Sequence, residues 1–97
     1  MEDTIYAPSS AIGGAIAVVR VSGLEARRVA ELLDRDPAKT PRRLCHVNIA
    51  RDGELIDDGM VAFFPSPGSY TGEDMAEINC HGGMQTVQRV LAALGSL

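Results

Sequence analysis

The segment SYTGEDMAEINCHGG, residues 69–83, carries the densest group of reactive side chains in the chain. It holds four carboxylates or carboxamides, one thiol and one imidazole, and the thiol and imidazole belong to the neighbours Cys80 and His81. A metal site, a nucleophile, a ligand pocket and an ordinary strand between two turns can all contain such residues. Which of these four possibilities applies depends on the faces that the side chains occupy. The secondary-structure element that carries them must therefore be identified first.

The part EDMAEINCHG alternates in polarity, which predicts a β-strand. Successive side chains of a strand point to opposite faces, so one face would carry Ala76, Ile78 and Cys80 and the other Met75, Glu77, Asn79 and His81. The small apolar set suits a protein core. We therefore expect Cys80 to pack as a small hydrophobic residue and not to act as a nucleophile.

The same alternation argues against a metal or thiol enzyme. A zinc site needs about four ligands at ordered spacings. Cys80 and His81 are adjacent and point to opposite faces, and the one other pair, Cys45 and His46, has the same defect. No metal site and no Cys–His nucleophile is therefore expected. Metal analysis of protein purified without chelator tests the metal-enzyme hypothesis, and the absence of stoichiometric zinc or iron would discard it.

The polar face of this strand has a possible partner in Arg20. The run AIAVVRVSG, Ala15–Gly23, is almost entirely apolar and predicts a strand buried on both faces. An arginine there is costly unless it is paired, and Glu77 is a natural counter-ion if the two strands are neighbours. Alternatively, both residues bind a ligand. Arg20 would then bind a carboxylate or carbonyl, and Glu77 would accept from a pair of N–H donors on a heterocycle. The residues leave a structural ion pair and a ligand site equally open.

The rest of the chain predicts a small α+β sandwich. The predicted order is β-β-α-β-β-β-α, a mixed, mainly antiparallel sheet with two helices on one face. The first strand is Thr4–Pro8, SSAIGG forms a loop, and the first helix starts at the capping box Ser22–Glu25. Asp52-Gly53 predicts a hairpin turn between the third and fourth strands, and Asp57–Gly59 a bulge or second turn.

Composition excludes several classes of function. The 97 residues suit one domain, 1–97, and 45% hydrophobic residues suffice for a core. The net charge is −4 and the basic residues are scattered along the sequence. Both features argue against this chain binding a nucleic-acid backbone by itself. No apolar run resembles a signal peptide or membrane span, no phosphate-binding loop is present, and the two unpaired cysteines are typical of a cytoplasmic protein.

Two segments resemble a known family. They are DTIYAPSSAIGGAIAVVRVSG, which contains an R-[IV]-S-G element, and FFPSPGSYTGEDMAEINCHGG, which contains S-[YF]-T-G-E-D-x-x-E-[IL]-x-x-H-G-G. In this order and spacing they resemble the amino-terminal part of the bacterial tRNA-modification GTPases called MnmE or TrmE. The resemblance covers essentially the whole chain, although residues 34–58 carry no family signature.

The resemblance implies a fold similar to the tetrahydrofolate-binding domains of one-carbon enzymes. It implies a homodimer that holds 5-formyltetrahydrofolate or a related folate near its interface. The whole protein would add a G domain, which uses GTP, magnesium and potassium, and would work with the FAD-dependent partner MnmG (GidA). Together they would add an aminomethyl-type group to the wobble uridine of tRNA in the cytoplasm, with folate as the one-carbon donor.

By motif position, Arg20 and Glu77 resemble the residues that contact folate in this family. The family's later folate-contacting lysine would follow residue 97, as would the G domain, so we expect a domain truncated at its carboxy-terminal end. Such a chain should not hydrolyse GTP by itself, and its folate pocket is expected to be incomplete. The alternative is a self-association module in which Arg20 and Glu77 form a structural ion pair.

Overall fold

The structure is a computed structural model, and it describes residues 4–9 and 13–97. Part of the predicted loop SSAIGG, residues 10–12, lies outside the described residues, as does the start of the chain before Thr4. The elements that position the candidate site all lie inside them.

A five-stranded antiparallel sheet forms the centre of the molecule. Its strands are β1 (Thr4–Pro8), β2 (Ile16–Gly23), β3 (Cys45–Arg51), β4 (Glu54–Phe64) and β5 (Met75–His81). Their order across the sheet is β1-β2-β5-β4-β3, and each of the four pairings is antiparallel. The predicted α+β class and element order are confirmed, and no parallel pair occurs among the strands of the described residues.

The main core lies on one face of the sheet, beneath the helix α1 (Met84–Gly95) and the 3₁₀ helix Ala26–Leu32. Alternate strand residues point into it, as the alternation of the sequence predicts. On strands β2 and β5, the residues that point into the core are all at most 1% exposed: Ala17, Val19, Val21, Ala76, Ile78 and Cys80. We call the opposite side of the sheet, which neither helix covers, the outer face.

The hairpin between β3 and β4 turns at Asp52-Gly53, as predicted. Both residues have positive φ, 52° and 79°, which is the conformation that a tight two-residue hairpin turn requires. The register between the two strands shifts between Ile49 and Ala50, which pair with Asp57 and Leu55. The extra residue is therefore Ile56, just before the predicted bulge at Asp57–Gly59.

The first predicted helix differs from expectation in type and in its start. It is a 3₁₀ helix over Ala26–Leu32 and carries no side-chain cap, so the predicted capping box is wrong. The reason is that Ser22 still belongs to β2 and its hydroxyl lies 2.7 Å from that of Thr71. The backbone N–H of Glu25 donates instead to the Thr4 hydroxyl, at 2.9 Å.

Strand β2 is buried along its whole length on its inward face only, whereas on the outer face Ser22 is buried and Ile16 and Arg20 are not. The prediction of burial on both faces is therefore wrong for most of the strand. Ile16 and Arg20 on the outer face are exposed, because no helix packs on that side. A short 3₁₀ helix, Pro37–Lys39, lies before β3. In the described part of the chain, no helix is long and apolar enough to cross a membrane.

Candidate functional site

Arg20 and Glu77 face each other across the middle of the sheet. They occupy paired positions in the β2–β5 register, and Nε of Arg20 donates to Oε1 of Glu77 at 3.2 Å. The side chain of Arg20 is 43% exposed and that of Glu77 is 21% exposed. The structure therefore brings the two predicted residues together on the outer face, half open to solvent.

Each member of the pair keeps unused hydrogen-bonding capacity. Oε2 of Glu77 has no hydrogen-bond partner among residues 4–9 and 13–97, and neither have the two terminal nitrogens of Arg20. A carboxylate accepts through both oxygens and a guanidinium donates through five N–H groups. The pair can thus bind a further polar group without being broken.

The loop 65–74, between β4 and β5, folds back over one end of the outer face. Thr71 contacts Ser22 through the hydroxyl pair described above, and the Tyr70 ring lies 5.1 Å from Cζ of Arg20. Beneath this loop Met75 is only 1% exposed, although it lies outside the main core. Tyr70 itself is 85% exposed, so it offers an aromatic surface beside the arginine.

A cleft of about 210 Å³ opens beside Arg20 on this face. Its walls are residues of β1 and β2, one residue of the loop 65–74 and the first residue of β5: Ile5, Ala7, Pro8, Ser22, Thr71 and Met75. The walls are largely apolar, and Arg20 of the charged pair also lines the cleft. An apolar cleft with a few converging polar groups is the usual form of a small-molecule site.

Beyond Glu77, the polar row of β5 has other partners. Asn79 donates through Nδ2 to the backbone oxygen of Met60 at 3.2 Å. His81 is held by Asp57, whose two carboxylate oxygens lie 2.8 Å from the backbone nitrogen and from Nδ1 of His81. The hydrogen bond and the negative charge of Asp57 raise the pKa of His81 above its ordinary value.

A second His–Asp pair lies on the neighbouring strands. Nε2 of His46 is 3.1 Å from Oδ2 of Asp58, and this hydrogen bond lowers the pKa of Asp58. One ligand atom each from Asp57, Asp58 and His81 lie within 4.8 Å of one another, a spacing that could accommodate a metal ion. No spacing in the sequence indicates this group, because strands β4 and β5 bring its members together over a long sequence separation.

The two thiols lie away from this polar surface. Cys80 is 1% exposed and points into the core, and burial raises its pKa, which disfavours the nucleophilic thiolate. Cys45 is also buried, with its sulfur 3.1 Å from the Thr40 hydroxyl. The structure thus separates the cysteines from the histidines, which sit on the outer face.

Comparison with known proteins places the chain in a family. The family model described as "GTP-binding protein TrmE N-terminus" matches residues 4–97. The chain is 48% identical over 99 residues to a tRNA modification GTPase MnmE from Methylobacterium radiotolerans, covering 98% of this chain and 22% of that protein. It is 45% identical over 97 residues to the protein of the same name from Pseudothermotoga lettingae, covering 97% and 22%.

A eukaryotic relative shows the same match. The chain is 45% identical over 98 residues to the "5-taurinomethyluridine-[tRNA] synthase subunit GTPB3, mitochondrial" of Danio rerio, covering 99% of this chain and 20% of that protein. The chain thus spans about a fifth of the length of these relatives. Because the family model covers nearly the whole chain, the chain belongs to the family of the TrmE (MnmE) amino-terminal domain.

Proposed function

We propose that this chain is a folate-binding and dimerisation domain of a tRNA-modification GTPase. The observation that carries the proposal is the Arg20–Glu77 pair, which lies on the uncovered face of the sheet beside a largely apolar cleft. A purely structural pair would have no need of the cleft or of the unused polar atoms. A ligand with a flat polar ring and an apolar body would use all three features.

The proposed ligand is 5-formyltetrahydrofolate or a related tetrahydrofolate. Glu77 would accept two N–H bonds from the pterin ring, because an ionised carboxylate is a strong bidentate acceptor. Arg20 would hold polar atoms of the folate while it compensates the charge of Glu77. The apolar cleft would take the part of the ring system that lies nearest to Arg20.

The activity of the whole protein is part of the same proposal. GTP hydrolysis, with magnesium and potassium, would belong to a G domain outside these 97 residues. The assembled protein would dimerise and act in the cytoplasm with FAD-dependent MnmG to add an aminomethyl-type group to the wobble uridine of tRNA. The names of the relatives, which are tRNA-modification GTPases and a subunit of a uridine-modifying synthase, support this assignment.

The alternative is a self-association module in which Arg20 and Glu77 only stabilise the sheet. The direct 3.2 Å contact favours it, since a cross-strand ion pair is a common stabilising element. The two readings differ in what neutralising Glu77 would do. In the structural reading it changes only stability, whereas in the folate reading it removes ligand binding.

Calorimetric titration with 5-formyltetrahydrofolate separates the two readings. We expect the wild type to bind and Glu77→Gln to bind at least about tenfold more weakly, because a hydrogen-bonded charge is lost. Glu73→Gln is the matched control, since Glu73 belongs to the same motif but is exposed, and its side chain forms no hydrogen bond or ion pair with the described residues. Absence of binding by the wild type, or equal affinities of wild type and Glu77→Gln, would refute the folate proposal.

A further inference from the structure

Arg42 is a cation whose charge is not balanced by a neighbouring carboxylate. Five other arginines of the described residues form ion pairs: Arg20, Arg27, Arg28, Arg51 and Arg89. The guanidinium of Arg42 has no hydrogen-bond or ion-pair partner within residues 4–9 and 13–97. Arg35 and Arg43 also form no ion pair within the described residues, but of these three arginines it is Arg42 that lines a cleft together with Tyr70. A cation without a counter-ion at such a cleft favours a negative group.

The backbone fixes Arg42 beside the end of β4. Its N–H donates to the Phe63 oxygen at 2.8 Å, and its φ of 66° lies in the left-handed region. Its guanidinium lies directly against the backbone of Gly68, where a Cβ atom would overlap Nη2. The arginine is thereby placed over the loop 65–74, the same loop that carries Tyr70.

Arg42 and Tyr70 line one cleft of about 310 Å³, together with Phe64, Gly68 and Ser69. This cleft adjoins the Arg20–Glu77 pair. Tyr70 lines it and also lies 5.1 Å from Cζ of Arg20. Phe64 follows Ala62, the residue paired with Glu77, by two positions on the same strand face, which corresponds to about 7 Å.

The proposed ligand has the shape and charge to span this distance. A folate carries its polar ring at one end and the carboxylates of its glutamate tail at the other, with an aromatic ring between. Glu77 repels those carboxylates, and Arg20 is already neutralised by Glu77. Tyr70 presents a face on which an aromatic ring can stack, and Arg42 is the free cation beyond it.

We propose that Arg42 and Tyr70 form the subsite for the glutamate tail of the folate, an inference that rests on the folate-binding function. The ring end would lie at Glu77, the aromatic linker along Tyr70, and the tail carboxylates at the Arg42 guanidinium. The ligand would therefore run from the middle of the sheet toward the loop 65–74, and not toward His81 at the other end of β5.

Titration with two ligands tests the subsite. One is 5-formyltetrahydrofolate, and the other is the amide of 5-formyltetrahydropteroate, which keeps the pterin and aminobenzoyl rings but ends in a neutral amide in place of the glutamate. We expect Arg42→Gln to weaken folate binding about fivefold, a typical effect for one solvent-exposed charge contact, and to change the affinity for the uncharged amide by less than about twofold. Arg42→Lys should retain most of the folate affinity, because the charge remains.

Arg43→Gln is the matched control, since it removes the same charge from the neighbouring residue, which does not line the cleft. It should leave both affinities within about twofold of the wild type. Equal loss for both ligands in Arg42→Gln, or no loss for either, would overturn the tail subsite while leaving folate binding established. If the wild type binds neither ligand, the folate-binding function itself is refuted.

Discussion

At the scale of single residues, partner and exposure determine what each reactive side chain can do. Cys80, the most nucleophilic residue type in its segment, is inside the core with a raised pKa. Glu77 is an ordinary carboxylate by type, but its place opposite Arg20 on an open face gives it an unused acceptor. The side chains that are accessible to a ligand therefore lie on the outer face, whereas the thiols are buried.

His81 gives a pH-dependent prediction. Its pKa is raised by Asp57 above the ordinary value of 6.5, so its charged form stabilises the folded state. This stabilisation is fully present below pH 6.5 and is lost as the pH rises through the folded-state pKa. We expect thermal unfolding from pH 5.5 to 8.5 to show the wild type losing more stability than His81→Gln. Parallel profiles for the two proteins would contradict the coupling between His81 and Asp57.

Individual contacts could be predicted from the sequence only where they follow from alternation. The position of Arg20 opposite Glu77 needed one assumption, that two apolar strands are neighbours, and the sheet order satisfies it. The Asp57–His81 contact depends in addition on the β4–β5 register and on the side chain of Asp57 turning toward the neighbouring strand. A local sequence pattern specifies neither the register nor the side-chain orientation, because both are set by packing across the sheet.

At the scale of elements, hydrophobic periodicity predicts the strands better than the helix starts. Alternation in β5 assigns every side chain to the face that it occupies. The capping-box pattern at Ser22–Glu25 failed because Ser22 belongs to β2 and its hydroxyl forms a hydrogen bond with that of Thr71 in the loop 65–74. Short polar motifs have several possible partners, so tertiary contacts decide between them.

The packing of α1 on the sheet gives a stability prediction. Leu94 is fully buried in the core, whereas Met84 at the other end of the helix is 62% exposed. We expect Leu94→Ala to lower the free energy of unfolding by about 2–4 kcal/mol, because it leaves a cavity, and Met84→Ala by less than about 0.5 kcal/mol. Urea denaturation monitored by circular dichroism measures both, and similar midpoints for the two variants would rule out the proposed role of α1 in the core.

At the scale of the whole molecule, one uncovered sheet face is the main feature. The outer face carries the charged pair, the two clefts and the exposed side chains of Ile5 and Ile16, which are 74% and 57% exposed. Exposed apolar residues around a polar site are typical of a surface that another molecule covers. This agrees with the proposed dimer, in which the partner would complete the folate pocket.

Self-association can be measured by sedimentation equilibrium. We expect a dimer at high micromolar concentration, and we expect Ile5→Asp combined with Ile16→Asp to weaken it about tenfold or more, because charged groups would replace buried apolar surface. Leu24→Asp is the control, since Leu24 is 81% exposed but lies outside the sheet. A wild type that remains monomeric, or an equal effect of Leu24→Asp, would contradict dimerisation through the outer face.

The most direct test of the central claim is to locate folate on the chain by NMR. In a titration of ¹⁵N-labelled protein with 5-formyltetrahydrofolate, we predict shifts of the backbone amides around Arg20, Glu77 and Tyr70. The amide of Val90, buried in α1 on the opposite side of the sheet, should not shift. Saturable shifts confined to the outer face would support a folate site at the Arg20–Glu77 pair. No shifts at saturating ligand, or shifts centred on α1, would contradict it.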